Sequence, residues 1–207
     1  MMERIKYHLS ELIKRYTREE YYEDIKSARR EYFGTIGQLR EEEENFESQI
    51  CCFDDWYLFN FSLRNGMTPV QDYLNAGCVE VEFRNTFEFP DYSLFEYRGR
   101  AIKGNFVIQN HLTGEKVRLI KDQSPVPLMK GEIFVGRVLS RGGEHFLMRG
   151  VTPFPDKIAP RLIKRAKQVR KHATPAEKNI FVNGLESVRI KWLEYGRPDP
   201  ERFFVLK

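Results

Sequence analysis

The chain has 207 residues, 41% hydrophobic and 31% charged, with a net charge of +4. That length suffices for one large domain or two small ones around a sizeable core. No apolar run approaches the ~18–20 residues of a membrane helix, and the start Met-Met-Glu-Arg-Ile-Lys has charges where a signal peptide needs an apolar stretch. The expectation is a cytoplasmic protein with no membrane partner.

The three cysteines, Cys51, Cys52 and Cys78, have neither CxxC spacing nor a histidine-rich neighbourhood. This argues against a disulfide framework and against structural zinc, so neither metal nor cofactor is expected. Cys51 and Cys52 sit in an apolar run and read as small buried hydrophobes. Charge is distributed unevenly: residues 1–50 carry −3, residues 51–150 are neutral, and residues 151–207 hold 13 Lys/Arg against 6 Asp/Glu, a net +7. A basic end of this kind calls for an acidic partner, or for an acidic surface elsewhere on the same protein or its oligomer.

In chain order, Ile5, Leu9, Leu12, Ile13 and Tyr16 recur at helical spacing and predict a first helix. Thr17-Arg-Glu-Glu20 reads as a capping box opening a second helix with Tyr21, Ile25, Ala28, Tyr32, Ile36 and Leu39 on one face, weakened by Gly34 and Gly37. Glu41 to Glu44 with Glu47 form an acidic run that suits a helix start. It lacks the spacing of a calcium loop. Phe46, Ile50, Phe53, Tyr57 and Phe61 then predict a buried helix, the most aromatic part of the chain, which Asn65-Gly66 ends.

Thr68-Pro-Val-Gln71 starts a short helix that Gly77 closes. Val79 to Phe89 fits either a helix or a strand. Five short β-rich runs follow: Ser93–Ile102, Phe106–His111, Lys116–Lys121, Glu132–Ser140 and His145–Gly150. Turn signals at Gly104-Asn105, Thr113-Gly114, Pro125 to Pro127 and Arg141-Gly-Gly143 separate them. Such runs predict an antiparallel sheet curled into a small barrel. Pro160 to His172 is a basic helix with Leu162, Ala166 and Val169 inward. Thr174-Pro-Ala-Glu177 caps a further helix with Phe181, Leu185, Val188, Trp192 and Tyr195 on its apolar face, and Phe203-Phe-Val-Leu206 is apolar enough to dock on the body.

The predicted fold class is therefore α+β, with N-terminal helices (1–91), a central five-stranded antiparallel β-barrel-like sheet (92–152) and a C-terminal helical pair with a docked tail (153–207), all in one unit. Five phrases add to this: Phe53-Asp-Asp-Trp-Tyr-Leu-Phe59, Gly66-Met-Thr-Pro-Val, Ser93-Leu-Phe-Glu96, Leu112-Thr-Gly-Glu115 and Gly131-Glu-Ile-Phe-Val-Gly-Arg-Val138. In this order, over roughly residues 46–155, the chain resembles uncharacterised bacterial proteins that often end in a zinc-binding SEC-C motif. The resemblance implies a helix for Val79 to Phe89. The zinc motif itself is absent, since no cysteine follows Cys78, so zinc-dependent partner binding does not carry over.

Catalytic signatures are missing from the sequence. His8, His111, His145 and His172 are scattered over four elements without triad or ligand spacing, and no GxxxxGK[ST], GxGxxG or GxSxG occurs. Asp54 and Asp55 are adjacent on a helix, so their carboxylates point about 100° apart and form no shared-proton dyad. An enzyme would need a deep pocket lined by convergent polar groups. The basic helix is the best candidate for function: Lys157, Arg161, Lys164, Arg165, Lys167, Arg170 and Lys171 fan over its exposed side. Such a surface binds phosphate backbones through counterion release. The expected function is a soluble nucleic-acid-associated binding protein. A protein–protein adaptor or self-associating protein is the second reading. The competing structural role for the basic helix is pairing with the acidic run at Glu41 to Glu47.

Overall fold

Helix α1 (Met2–Tyr16) takes its face from the predicted spacing, with Ile5, Leu12 and Tyr16 wholly buried. The computed structural model describes residues 2–34, 46–102, 104–121 and 128–204. After α1 the expected capping box does not form. The Thr17 hydroxyl donates back to the Ile13 carbonyl at 2.7 Å, and a single 3-10 turn at Glu19–Tyr21 leads into α2 (Tyr22–Phe33). The back-bond to the preceding turn competes with capping for the same hydroxyl. Helix α2 buries Ala28 and Tyr32 and stops at Gly34, whose φ of +71° leaves the helical region. Ile36, Gly37, Leu39 and Glu41 to Glu44 lie outside the described residues.

The aromatic run forms a helix as predicted, α3 (Phe46–Phe59), burying Cys52, Phe53, Tyr57 and Leu58, but it ends before Asn65-Gly66, and Phe61, expected on its face, is buried from the segment that follows. Phe53 and Tyr57 stack at 5.9 Å, and Phe53 also meets Tyr32 and Phe33 of α2. Helix α4 (Pro69–Asn75) has the full capping box: Thr68 Oγ1 accepts from the Gln71 N–H, and Gln71 Oε1 accepts from the Thr68 N–H. The ambiguous segment is a helix, α5 (Val81–Glu88), with Phe83 and Phe87 inward. Helices α1 to α5 contribute most of the first apolar cluster.

The strands fall where the alternation placed them: β1 (Asp91–Arg100), β2 (Phe106–Asn110), β3 (Lys116–Arg118), β4 (Ile133–Arg141) and β5 (Glu144–Leu147), plus a two-residue β6 (Thr152–Pro153) against β4. The order is β3-β2-β1-β4-β5, antiparallel throughout. The sheet curls until its edges meet at a bridge between Leu119 and His145. The concave interior holds Phe95, Ile108, Val117, Leu119, Phe134, Val138 and Leu147, with Phe95 and Phe134 paired across strands and stacked at 5.7 Å. Gly136 sits in this interior, where a methyl would come within 3.3–3.4 Å of Phe134 and Leu147.

Strand β4 fixes the arrangement of the rest. Its even positions Phe134 and Val138 face the sheet interior, while its odd positions face helices, as a period of two requires. Along that outer side, Ile133 and Val135 pack with the C-terminal helices and Leu139 packs with the N-terminal ones. Arg137 lies between them.

A 3-10 turn (Asp156–Ile158) leads to α6 (Ala159–His172) and α7 (Pro175–Glu194), which is capped by Thr174 and Glu177 as predicted. A short α8 (Pro200–Phe203) brings Phe204 onto Phe154 and Trp192, each at 5.9 Å, so the tail docks as expected as far as residue 204. The buried face of α7 differs from the prediction. Val182, Leu185, Glu186 and Arg189 are buried, Phe181, Val188 and Trp192 are only partly covered, and Tyr195 is 64% exposed. The helix packs on β1 and β4 as well as on α6. Its second buried side carries two opposite charges that satisfy each other, a pairing that hydrophobic periodicity does not register.

Two glycines give opposite expectations. Gly150 lies so close to α3 that a Cβ would fall 2.4 Å from Asp55 Oδ2 and 2.9 Å from the Cys51 carbonyl. Gly150→Ala should therefore cost about 1–3 kcal/mol by overpacking. Gly184, in mid-α7, has nothing within 4 Å of its Cβ position, and Gly184→Ala should stabilise by about 0.5–1 kcal/mol. Urea unfolding midpoints of the two variants test both signs.

Candidate functional site

Helix α6 has no acidic residue, and its inward stripe of Leu162 and Ala166 is completely buried. Lys157, Arg161, Lys164, Lys167, Arg170 and Lys171 are exposed and Arg165 is half-buried. Lys157 belongs to the turn before the helix. Three of the seven have local partners: Arg161 donates to the Glu201 carbonyl at 3.0 Å, Arg165 donates to Gln168 Oε1 at 3.2 Å, and the Arg170 guanidinium lies over Gly114. No ion pair joins any of the seven to a carboxylate among the described residues, whose ion pairs with lysine or arginine all lie elsewhere. Glu47 is exposed in the first turn of α3, and the remainder of the expected acidic counterpart falls outside the described residues.

The helix is seated on the Leu112–Glu115 turn. Asn110 Oδ1 accepts from the backbone N–H groups of Leu112 (2.8 Å) and Thr113 (3.1 Å) and from the Ser93 hydroxyl (2.7 Å), fixing the turn. Leu112 then packs with Leu162 and Ala166.

The histidines acquire partners that spacing could not reveal. His8 is buried in an aromatic surround, with Nε2 2.7 Å from Glu80 Oε2 and Nδ1 3.3 Å from the Tyr73 hydroxyl. His111 Nε2 lies 3.0 Å from Glu96 Oε2. Burial lowers the pKa of both imidazoles; Arg4 adds to this at His8, while Glu96 opposes it at His111. His145 meets Ser140 Oγ at 2.8 Å across the β4–β5 pair. Burial raises the Cys51 thiol, in keeping with a packing role.

A second constellation lies where α2, α3, β4 and α7 meet. Tyr32 Oη donates to Glu186 Oε1 at 2.7 Å, and Arg189 Nη2 donates to the same oxygen at 2.6 Å. Arg137, only 5% exposed, donates from Nη2 to Asn60 Oδ1, and Asn60 in turn donates to Asn183 Oδ1 at 3.4 Å. Its guanidinium lies 3.8 Å from the Tyr92 ring centroid and 5.1 Å from that of Phe59. Tyr92 is its cross-strand neighbour on β1. Arg137 Nε has no hydrogen-bond partner among the described residues. Asp55 is enclosed beside Gly150, whose N–H it accepts at 2.8 Å. Burial pushes its carboxyl up to about 7, and that of Asp54 to about 6.

Arg137 forms part of the wall of a cleft of about 720 Å3. Asn60, Thr68 and Tyr92, the α4 residues Gln71 and Asn75, the α5 residues Arg84 and Glu88 and the α7 residues Asn179 and Asn183 complete its polar lining, and Phe59, Phe87 and Phe89 are among its apolar walls. The lining contains no serine, cysteine or histidine, and the hydroxyl of Thr68, which also lines it, serves as the cap of α4 with no base beside it in the lining, so the cleft offers binding groups rather than an activated nucleophile. The sequence reading missed this cleft. A signal was present: Ile133, Val135, Arg137 and Leu139 share one side of a strand, and a charge on a core-facing side needs an explanation. The large apolar side chains left exposed, such as Tyr7, Val81, Phe89, Ile102 and Ile180, are spread over different elements.

Compared with protein-family models, with curated proteins and with solved structures, the chain matches none. The architecture is α+β, and no described helix is long and apolar enough to cross a membrane.

The Asp55 carboxyl generates a pH signature. Its folded pKa of about 7 lies above the ordinary carboxylate value, so between about pH 4 and pH 7 the folded chain keeps a proton that the unfolded chain has lost. Stability from this group therefore falls as pH rises, by at most ~1.4 kcal/mol per pH unit. Asp55→Asn should gain on the wild type across that window when urea midpoints are compared. A constant gap between the two would exclude this titration.

Proposed function

We propose that the protein binds nucleic acid through the basic face of α6, contacting phosphates rather than bases. One observation carries this reading: Lys157, Lys164, Lys167 and Lys171 are exposed, and their ammonium groups make no hydrogen bond or ion pair to a described residue. Cations in the last turn of a helix gain from its dipole, so Arg170, Lys171 and His172 have a structural reason to be there. Arg161 is tied to the Glu201 carbonyl, whereas Lys157, at the helix start where cations are disfavoured, and Lys164, beyond the reach of either helix end, have no such reason. Exposed ammonium groups with no role in the fold suit an anionic partner arriving from outside. A row of lysines that bond nothing in the fold also suits phosphate contact without sequence reading.

The measurement is a mobility-shift titration with a 30-mer duplex and its single strand. Binding should appear near 50 mM salt and weaken along a log–log slope of about −0.9 per phosphate neutralised. Lys164→Glu/Lys167→Glu/Lys171→Glu should weaken it by about 100-fold or more while leaving the thermal midpoint nearly unchanged. Absence of any shift at low salt would sink the proposal.

A further inference from the structure

We propose that the Arg137 cleft is a binding site for a small anion carrying a planar ring. The inference is independent of the basic face of α6. It starts from a buried charge that touches no carboxylate. Arg137 is buried, yet among the described residues no carboxylate lies within ion-pair distance of it. Glu186 is engaged by Arg189 and Tyr32, and Asp55 accepts from Gly150. The faces of Tyr92 and Phe59 support the guanidinium in part. Asp55 and Glu186 act on this guanidinium only from beyond contact distance, and its Nε has no partner among the described residues, so the cleft wall holds a buried cation with no anion against it.

The rest of the lining specifies more than charge. Arg84 is committed to Glu88 (3.4 Å), to the Leu74 carbonyl (3.1 Å) and to Asn75, so Arg137 supplies the net charge of the cleft. Asn60 and Gln71 spend their oxygens inside the fold, on Arg137 and on the Thr68 N–H, and Asn183 accepts from Asn60. The side-chain amide N–H groups of Gln71 and Asn183, and the whole side chain of Asn179, make no hydrogen bond to a described residue. The cleft is thus donor-rich, matched to a ligand edge of carbonyls, ring nitrogens or anionic oxygens. Phe89, 72% exposed, stands at this cleft as an unused aromatic surface. Large exposed aromatics beside polar donors are suited to stacking on a planar ring.

Two sources share this chemistry, a nucleoside monophosphate and a ring carboxylate, and calorimetric titration of the full chain with adenosine 5′-monophosphate and with 4-hydroxybenzoate separates them. At least one should bind saturably, one molecule per chain, and about tenfold more tightly than adenosine, phosphate or phenol alone. Phe89→Ala and Asn179→Ala alter exposed residues whose side chains bond nothing among the described residues, and should retain the wild-type thermal midpoint. Each should weaken binding by about fivefold or more. Lys164→Glu/Lys167→Glu/Lys171→Glu should leave it unchanged. The proposal fails if neither probe binds up to about 5 mM. It fails equally if both rim variants bind like the wild type, or if the α6 variant abolishes binding.

Discussion

Arg137 occupies the one position on the outer side of β4 where neither apolar cluster can absorb a side chain on its own. The strand carries Ile133 and Val135 into the C-terminal cluster and Leu139 into the N-terminal one. An apolar residue between them would have let the two clusters fuse. A charge there costs several kcal/mol in desolvation unless it is compensated. The surroundings bear the marks of that compensation: Tyr92 opposite on β1, Phe59 at the end of α3, and the amide chain through Asn60 to Asn183. The positions of α3, α7 and β1 around β4 are all held to this one guanidinium.

The same joint contains Glu186, Arg189 and Tyr32, which tie α2 to α7 by way of a shared carboxylate oxygen. Polar seams of this kind are directional where apolar packing is not, so they set how helices are rotated about their axes. That is why α7 turns Glu186 and Arg189 inward and leaves Tyr195 in solvent. Asp55 belongs to this seam too, and its raised pKa reflects the same exclusion of water.

The basic helix is built differently. Its fixed parts are apolar, Leu162 and Ala166 on Leu112, and its lysines take no part in holding the fold. Stability and the proposed phosphate contacts thus reside on opposite sides of α6. The cleft lacks this separation, because Arg137 serves the architecture and lines the site at once. Under these proposals, variation at Lys164, Lys167 or Lys171 reports on binding alone, whereas variation at Arg137 reports on both.

Much of the fold was legible in the sequence, because periodicity and turn chemistry are local. The helical repeat of Ile5, Leu12 and Tyr16, the alternation of the five strands, and the boxes Thr68–Gln71 and Thr174–Glu177 each follow from neighbours within a few residues. The outward fan of cations on α6 was legible for the same reason, since the apolar stripe fixes which side faces water. The box expected at Thr17–Glu20 failed because a hydroxyl can bond backward as readily as forward, and only the whole chain selects between them. What tertiary structure alone decided is where charges meet. Glu186 finds Tyr32 across 154 positions, His8 finds Glu80 across 72, and Arg137 finds Asn60 across 77. Electrostatic partnership depends on distance in space and on the exclusion of water, and the order of residues along the chain encodes neither until the sheet has curled and α7 has been laid across it.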